Sequence, residues 1–422
     1  MNNILLNKYP LIFKRLSKVG QRVSFPEHSI LHQAFVNKET KYNASVGTTT
    51  LDKKFLHLPS LTKYYNLPPS DVVNYTPIQG LYDLRLLYKE RICSQNNLDG
   101  NLFGTPIITN GITNALQISS QLFLNPNDSV IIHNKYWENY DLIFNKIAGA
   151  IIKPYSMFNS DSKFDLESFE KILTQQTNNI FLIFNFPNNP TGYSPDRQTI
   201  TAVAEIIKNV AENQKILISV LIDEAGYGFF FEEDICRESL FSILLKLKSE
   251  YIFPILAKGS TKEDLSYGIR VGSLSLGVSH ECSSILEGKA AALIRGSNST
   301  ICTPSQISVY NIIKDPNRNS EFTKTFTLIK ERYNLIKYEI LPNLINNGFL
   351  EHYYIYPCNS GFFMTLKTKV NAFALQNKLR ERNVGVTVLE EKHIRICFSS
   401  VDRELLSILF QVLLETARDM VH

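Results

Sequence analysis

Residues 216–222 read Ile-Leu-Ile-Ser-Val-Leu-Ile, and Asp223 follows them directly. A run that is apolar on both faces is typical of a strand buried in a parallel sheet. Similar short apolar runs recur about 35 to 50 residues apart, at 129–132, 180–184 and 251–256. The apolar residues of 199–212 have helical spacing and fit a crossover helix between two such strands. The middle of the chain therefore predicts an α/β domain with a mostly parallel sheet covered by helices.

The last part of the chain mixes helices and strands in a different order. The pattern predicts a long charged helix, a strand, a second helix and a last strand, at 322–338, 360–366, 372–381 and 393–398. We therefore predict a large domain over residues 56–310 and a smaller α+β domain over 311–422. The N-terminal segment, 1–55, is expected to pack with the small domain.

The composition excludes several classes of protein. The 422 residues carry 44 Lys and Arg against 40 Asp and Glu, and a net charge of +4 is too dilute for a nucleic-acid binder. No window is long and apolar enough for a membrane span. The six cysteines form no CxxC pair and the eight histidines form no HxxH motif, so neither a disulfide framework nor a metal site is predicted. A cytoplasmic location fits this cysteine pattern. Basic residues within positions 1–22 are interpreted as those of an amphipathic helix, in preference to an organelle-targeting segment.

Polar residues stand where three of the predicted strands end. Asn189 lies in the rigid turn after 180–184, Asp223 ends its own strand, and Lys262 follows 251–256, with Arg270 eight positions further on. In sheets of this kind ligands bind at the carboxyl ends of the strands, so we expect these side chains to meet.

One Lys, one buried Asp, one Asn and one Arg are what a pyridoxal phosphate enzyme requires. The Lys amine forms a Schiff base and moves protons, and the Asp pairs with the protonated pyridine nitrogen. The Asn donates to the phenolic oxygen, and the planar Arg suits a phosphate or a carboxylate. A glycine turn at Gly111 leads into a helical pattern that can hold a phosphate, and Trp137 can stack on a flat ring.

With these motifs in place, the sequence resembles the fold-type I pyridoxal phosphate enzymes of the class I/II aminotransferase family, to which aspartate aminotransferase belongs. The matching motifs run in family order from about Asn43 to Arg395: Tyr75 to Gly80 with Leu84-Arg85, Gly111 to Leu116, Trp137, Asn189 to Gly192, Asp223 to Ala225, Lys262 with Gly268 to Gly272, and Arg395. The resemblance implies a seven-stranded sheet in the large domain and a homodimer with shared active sites.

The resemblance also implies roles for single residues. Lys262 and Asp223 are the catalytic pair, and Asn189 contacts the cofactor ring. The other implied cofactor contacts are Gly111, Ile112, Thr113, Trp137, Ser260, Arg270 and, from the neighbouring subunit, Tyr75. Arg395 holds the substrate α-carboxylate, with Asn189 and Gly47 beside it. The expected reaction moves an amino group from an L-amino acid to a 2-oxo acid.

The sequence also departs from the family. The tyrosine usually found three residues after the aspartate is replaced by Gly226, with Tyr227 next, so the phenolic oxygen loses one donor if Tyr227 cannot turn inward. The serine often found three residues before the lysine is Gly259, so Ser260 or Thr261 would take its phosphate contact. A lyase, decarboxylase or cyclising enzyme on the same scaffold stays open, as does a protein that binds the cofactor without turnover.

Overall fold

A seven-stranded sheet forms the centre of the larger domain in the computed structural model, which describes residues 2–25, 29–64 and 66–421. The strands of the described chain are, in order, β1 (Tyr42–Asn43), β2 (Thr50–Leu51), β3 (Lys54–Phe55), β4 (Ile107–Asn110), β5 (Ser129–His133), β6 (Ile151–Tyr155), β7 (Ile180–Asn185), β8 (Ile218–Asp223), β9 (Ile252–Gly259), β10 (Val271–Leu276), β11 (Tyr353–Ile355), β12 (Phe363–Thr368), β13 (Val384–Gly385), β14 (Thr387–Glu390) and β15 (His393–Cys397).

The helices are α1 (Asn2–Lys8), α2 (Pro10–Arg15), α3 (Lys18–Arg22), α4 (Ile30–Val36), α5 (Pro59–Lys63), α6 (Pro69–Val73), α7 (Tyr82–Asn96), α8 (Gly111–Phe123), α9 (Leu166–Thr174), α10 (Arg197–Gln214), α11 (Leu240–Leu247), α12 (Ser260–Glu263), α13 (His280–Ser297), α14 (Thr303–Lys314), α15 (Arg318–Leu335), α16 (Leu341–Asn346), α17 (Ala372–Glu381) and α18 (Arg403–Asp419). Two further segments, Asp141–Ile147 and Ile336–Ile340, are π-helical. None of the helices in the described ranges is long and apolar enough to span a bilayer.

The order of the large sheet is β4-β10-β9-β8-β7-β5-β6. All neighbours pair in parallel except β10, which is antiparallel to β4 and to β9. The register places Asn185 opposite Asp223 and Asp223 opposite Ala257, so the polar ends of β7, β8 and β9 lie at one edge. The predicted fold class is confirmed.

Three strands of this sheet were not predicted, and their residues show why. Strand β6 carries Lys153 and Pro154 and lies at the edge, where partial exposure does not demand an apolar run. Strand β10 contains Gly272 and two buried serines, so it lacks the apolar character of its neighbours although it is fully buried. Strand β4 has only four residues.

The small domain is built on the antiparallel sheet β11-β12-β15-β14. Helix α14 still contacts α7 and β10 of the large domain, whereas α15 contacts α18, so the chain passes between domains near residue 316. The N-terminal segment divides: Gln33 bonds to Val388 of the small domain, whereas Arg22 donates to the Lys146 and Ile147 carbonyls of the large domain. The N-terminal segment thus contacts both domains.

Candidate active site

A cavity of about 170 Å³ opens at the carboxyl edge of the large sheet. Its walls come from the ends of β7 and β8, the starts of α8 and α12, and the loop after β5. The lining residues are Ile112, Thr113, Trp137, Tyr140, Asn185, Asn189, Asp223, Ala225, Thr261, Lys262 and Arg270. Most of the predicted cofactor residues thus meet in one place, although they are spread over about 160 positions of the chain.

Asp223 ends β8 as a carboxylate with 2% exposure. One of its oxygens accepts the Tyr140 hydroxyl at 2.6 Å, and the other accepts the Ala225 N–H at 2.9 Å. Burial raises the pKa of Asp223 above its usual value, and these two hydrogen bonds oppose the shift because they stabilise the charged form. The carboxylate is therefore held in a fixed orientation by its own chain.

Lys262 lies on α12 and faces the same cavity. No hydrogen bond or ion pair among the described residues involves its ammonium, whose ring contacts are Phe363 at 5.4 Å and Phe362 at 5.6 Å. Burial lowers the pKa of Lys262, and the charge of Asp223 opposes this shift. A lowered pKa increases the fraction of free amine at neutral pH, which is the nucleophilic form.

Arg395 lies on β15 and reaches from the small domain to Asn189. Its Nη1 donates to the Asn189 Oδ1 at 3.0 Å, and the Asn189 N–H donates to the Asn185 Oδ1 at 2.8 Å. Since Arg395 occupies the amide oxygen, the amide Nδ2 of Asn189 remains as the donor to a bound molecule. The neighbouring Asn185 in turn donates to the Asp223 carbonyl at 2.9 Å, which connects the two halves of the site.

The Arg395 guanidinium is buried without a carboxylate partner in the described chain. It is 1% exposed, stacks on the Phe363 ring at 4.3 Å, and its Nε–H has no hydrogen-bond acceptor. Burial lowers the pKa of Arg395 to about 10, so the group is still charged at neutral pH. A buried cation with an unused donor is the arrangement expected for binding an anion such as a carboxylate.

The start of α8 and Arg270 form a second position that can bind an anion. Gly111 has φ +73°, and a Cβ at this residue would lie 2.4 Å from the Arg270 Nη2, so only glycine allows this close approach. Arg270 itself has φ 58°, in the left-handed region that non-glycine residues rarely adopt. No side chain caps α8, and its first backbone N–H groups, at Ile112 and Thr113, border the cavity. Such a helix start suits a phosphate.

Ser260 does not line this cavity. Its hydroxyl is fully buried, donates to the Val271 carbonyl at 3.2 Å and accepts from Ser266 at 2.9 Å. The neighbouring Thr261 lines the cavity in its place. Gly259 has no room for the family serine, since a Cβ there would lie 2.9 Å from the Val271 carbonyl oxygen. Of the two residues that the sequence offers for a phosphate contact, Thr261 is therefore the one that borders the cavity.

Tyr227 does not turn into the cavity. Its hydroxyl donates to the Arg237 carbonyl at 3.2 Å, and its ring lies under the Lys258 ammonium at 3.5 Å, on the opposite side of the sheet edge. At Gly226, a Cβ would approach Pro187 to 3.2 Å. The tyrosine missing at position 226 is consequently not replaced by Tyr227.

The remaining predicted residues lie outside the lining. A Cβ built at Gly47 would lie 3.4 Å from the Phe363 ring, on which the Arg395 guanidinium stacks. Tyr75 is 86% exposed and does not line the cavity.

Two residues of the site, Tyr140 and Asn185, were missed by sequence reasoning. Tyr140 follows Trp137 by three positions, and the N–H of Tyr140 bonds to the Trp137 carbonyl in a turn that brings both rings to the cavity. Asn185 is the last residue of β7, one position after the apolar run. A polar residue directly after a buried run was the signal that identified Asp223, and it applies equally to Asn185.

Comparisons with known proteins agree with this geometry. Residues 43–413 match the sequence profile of the family described as aminotransferase class I and II. A probable aspartate aminotransferase of Methanocaldococcus jannaschii is 26% identical over 206 residues, which cover 48% of this chain and 49% of that protein. The chain thus spans about half the length of the curated relatives that it matches.

Solved structures match along nearly the whole chain. An aminotransferase from Anaerococcus prevotii superposes with a TM-score of 0.82 at 22% identity, covering 96% of this chain and 99% of the other. The Thermus thermophilus aspartate aminotransferase with maleate superposes with a TM-score of 0.75 at 18% identity, covering 96% and 99%. At this level of identity the likeness establishes the fold.

Proposed function

The chain belongs to the class I and II aminotransferase family, and from this premise we propose that it uses pyridoxal 5'-phosphate to transfer an amino group from an amino acid to a 2-oxo acid. The observation that carries the proposal is that Lys262 and Asp223 line one cavity, while Arg395, a buried cation with an unused Nε–H, bonds to the lining residue Asn189. Each group has the charge and burial that a different part of this chemistry needs.

The side chains present fit the cofactor. Asp223 offers a carboxylate for a protonated ring nitrogen, and Asn189 offers an amide donor for the phenolic oxygen. Gly111 leaves the space that a Cβ would fill beside Arg270, so a phosphate has both a cation and a helix start. Trp137 supplies an aromatic wall to the same cavity. When bound, the cofactor supplies an electron-poor ring that accepts charge from the substrate Cα.

The chain's own residues then perform the remaining tasks. The amine of Lys262 would hold the cofactor, and the same amine would move the proton at the substrate Cα. Asp223 keeps a negative charge at the ring nitrogen, with Tyr140 fixing its orientation. Arg395 would bind the substrate α-carboxylate through its positive charge and its free Nε–H, and its hydrogen bond to Asn189 connects this contact to the cofactor site.

The choice of amino acid is not assigned by these contacts. Relatives of the chain are named for aspartate and for aspartate and prephenate, as in Thermus thermophilus. The cations in the described cavity lining are Lys262 and Arg270, and both have other tasks in the proposal. A residue that reads the substrate side chain is therefore expected from a second subunit.

We include a homodimer with shared sites and a cytoplasmic location in the proposal. Exposed apolar residues on and near α6, namely Val72, Val73, Tyr75 and Tyr82, support an interface there. Tyr75 would reach the phosphate of the neighbouring subunit across it. The thiols, none of them in a disulfide, suit a reducing compartment. Sedimentation of the purified protein tests the dimer, and a monomer with full activity would contradict it.

Absorbance spectroscopy tests the reaction. We expect the protein loaded with pyridoxal phosphate to have a visible band that is lost when one member of a panel of twenty amino acids is added. The band should return with a 2-oxo acid, which indicates transamination. Release of ammonia or carbon dioxide would instead indicate a lyase or decarboxylase, and a band that never responds would indicate binding without turnover.

A further inference from the structure

Two buried carboxylates, Glu263 and Asp264, directly follow Lys262 in the chain. They are 3% and 0% exposed, and neither lines the cavity. We call this pair of residues the carboxylate anchor. Both side chains point to the far side of α12, where they meet cations from three other elements.

Asp264 lies between two arginines. Arg91 of α7 donates to both of its oxygens, at 2.9 and 3.1 Å. Arg318 donates to Oδ1 from Nε at 2.9 Å and from Nη2 at 2.8 Å. Burial alone would raise the pKa of Asp264, but the two guanidinium groups hold it below its usual value. The carboxylate is fully paired.

Glu263 is bound from a second direction. Gln95 of α7 donates to its Oε1 at 2.6 Å, and the ammonium of Lys258 lies 3.5 Å from its Oε2. Lys258 also donates to Glu224, the residue after Asp223, at 3.0 Å. The chain neighbours of Lys262 and of Asp223 are thus joined through a single ammonium group.

Arg318 connects this cluster to the small domain. It is the first residue of α15, the long helix that leads into that domain. Its Nη2 also donates to the Glu263 carbonyl at 2.9 Å. The segment that carries Lys262 is therefore bonded to α15, the helix that leads into the small domain. Arg395 belongs to that same domain.

The orientation of Lys262 needs such an external support. Helix α12 has only four residues, which is too short to be stable by itself. The lysine has no hydrogen-bond partner of its own within the described residues. A buried ion cluster stabilises a fold less than apolar side chains of the same volume would. We therefore interpret this cluster by the groups that it holds in place rather than by its contribution to stability.

We propose that the carboxylate anchor is a positioning device: Glu263 and Asp264 hold the Lys262 amine in line with Asp223 and link it, through Arg318, to the small domain. This inference rests on the proposed function of Lys262. Loosening the anchor should slow the steps in which the amine acts and leave the binding of the substrate carboxylate by Arg395 unchanged.

The test compares Arg318→Gln with Arg318→Lys, Asp264→Asn and the control Arg403→Gln. Arg403 is also the first residue of a long helix, but no ion pair of the described chain involves it. The measurements are the rate at which cofactor-free protein takes up pyridoxal phosphate, followed by its visible band, and kcat and KM for the best amino acid. Thermal unfolding of each cofactor-free variant is recorded alongside.

We expect Arg318→Gln to lower the uptake rate and kcat by about tenfold, since a small misplacement of a reacting group is costly, with KM within about twofold. Arg318→Lys should recover part of the loss, because it keeps the charge but not the planar fork. Asp264→Asn should lower both rates at least as much as Arg318→Gln, because it also weakens the contacts of Asp264 with Arg91. The variant that combines the two changes should be little worse than Asp264→Asn alone, because the contact between Asp264 and Arg318 is lost only once. Arg318 has an exposed edge, with 14% side-chain exposure, so its variants test the proposal even if Asp264→Asn does not fold.

Unchanged uptake and kcat in Arg318→Gln would overturn the proposal, and so would equal losses in Arg403→Gln or a rise of KM in parallel with the fall of kcat. Failure of the proposed function would give a different experimental result. The wild-type band would form but not respond to any amino acid, and the uptake rates alone would then decide the role of the anchor.

Discussion

Two groups of buried charges lie on either side of Lys262, and they differ in how they are paired. Beside the cavity, Arg395 bonds to the lining residue Asn189; it is 1% exposed, has no carboxylate partner in the described chain, and keeps an unused Nε–H. In the carboxylate anchor, Asp264 is 0% exposed and both of its oxygens are bound by arginines. Arg395 and Asp264 are equally buried, so the difference between them is whether an oppositely charged side chain binds them. A buried charge left unpaired marks a place for a ligand, whereas a fully paired one holds the backbone.

The largest effect is expected on the cavity side, from Lys262→Ala. We expect loss of turnover by at least about 10³-fold, because no other amine in the cavity can move the proton. Borohydride treatment of the loaded protein should fix the cofactor to the wild type and not to the variant, as read by mass spectrometry. Lys171→Ala, on an exposed helix face, is the control. Turnover that survives in the Lys262→Ala variant would show that Lys262 is not the catalytic amine of the cavity.

The next effect concerns Arg395→Gln, which removes the unpaired cation. We expect KM for the amino acid to rise by about 100-fold, since a buried charge-assisted contact is lost, with the uptake of cofactor little changed. Arg395→Lys should also bind weakly, because an ammonium cannot reproduce the planar fork. Steady-state kinetics measures both. A KM equal to that of the wild type would show that the substrate carboxylate binds elsewhere.

Tyr140→Phe tests the orientation of Asp223 and has a defined pH signature. The hydroxyl stabilises the charged carboxylate, so its removal should raise the pKa of Asp223 further. As pH falls, the group then takes up its proton earlier, and the acid limb of the kcat profile should move upward by about one pH unit. At neutral pH we expect kcat to fall by about tenfold.

The matched control for this change is Tyr155→Phe. The Tyr155 hydroxyl is also buried, but it has no hydrogen-bond partner in the described chain. Its removal should leave the pH profile in place. An acid limb that shifts equally in both variants would mean that the loss of any buried hydroxyl produces the effect.

The smallest effect is expected from Tyr227→Phe. Its hydroxyl bonds to the Arg237 carbonyl outside the cavity, so we expect kcat and KM within about twofold of the wild type and a loss of about 1 kcal/mol in the free energy of unfolding. Denaturant titration and the spectrum of the loaded protein provide the two measurements. A shifted absorption band would instead show that this hydroxyl contacts the cofactor in the cavity.

Much of the cavity could be predicted because its residues follow apolar runs. Asp223 ends β8 and Lys262 follows β9 by three residues, and the parallel pairing of these strands brings their ends together. The anchor could not be predicted in the same way. Arg91 and Arg318 lie on surface-like helical patterns, and nothing in their local sequence distinguishes a buried ion cluster from a solvated one.

The direction of Tyr227 was also beyond the sequence. At the end of β8 the chain leaves the extended conformation, so the alternation of faces no longer fixes where a side chain points. The structure decides it through the ammonium of Lys258, which lies over the ring. In the same way, the glycine at position 259 is explained only by the Val271 carbonyl that occupies the space of a side chain.

The pairing of the N-terminal segment with the small domain has a consequence for biosynthesis. The Gln33 amide donates to the Val388 carbonyl, and these residues are 355 positions apart in the chain. At ribosomal speeds of about 5 to 20 residues per second, the earlier residue waits roughly 20 to 70 s for its partner. During that interval helix α4 lacks strand β14, against which it packs in the folded protein. Chaperone dependence of this protein should therefore concentrate on α4 and the residues beside it, which are made long before the strand that covers them.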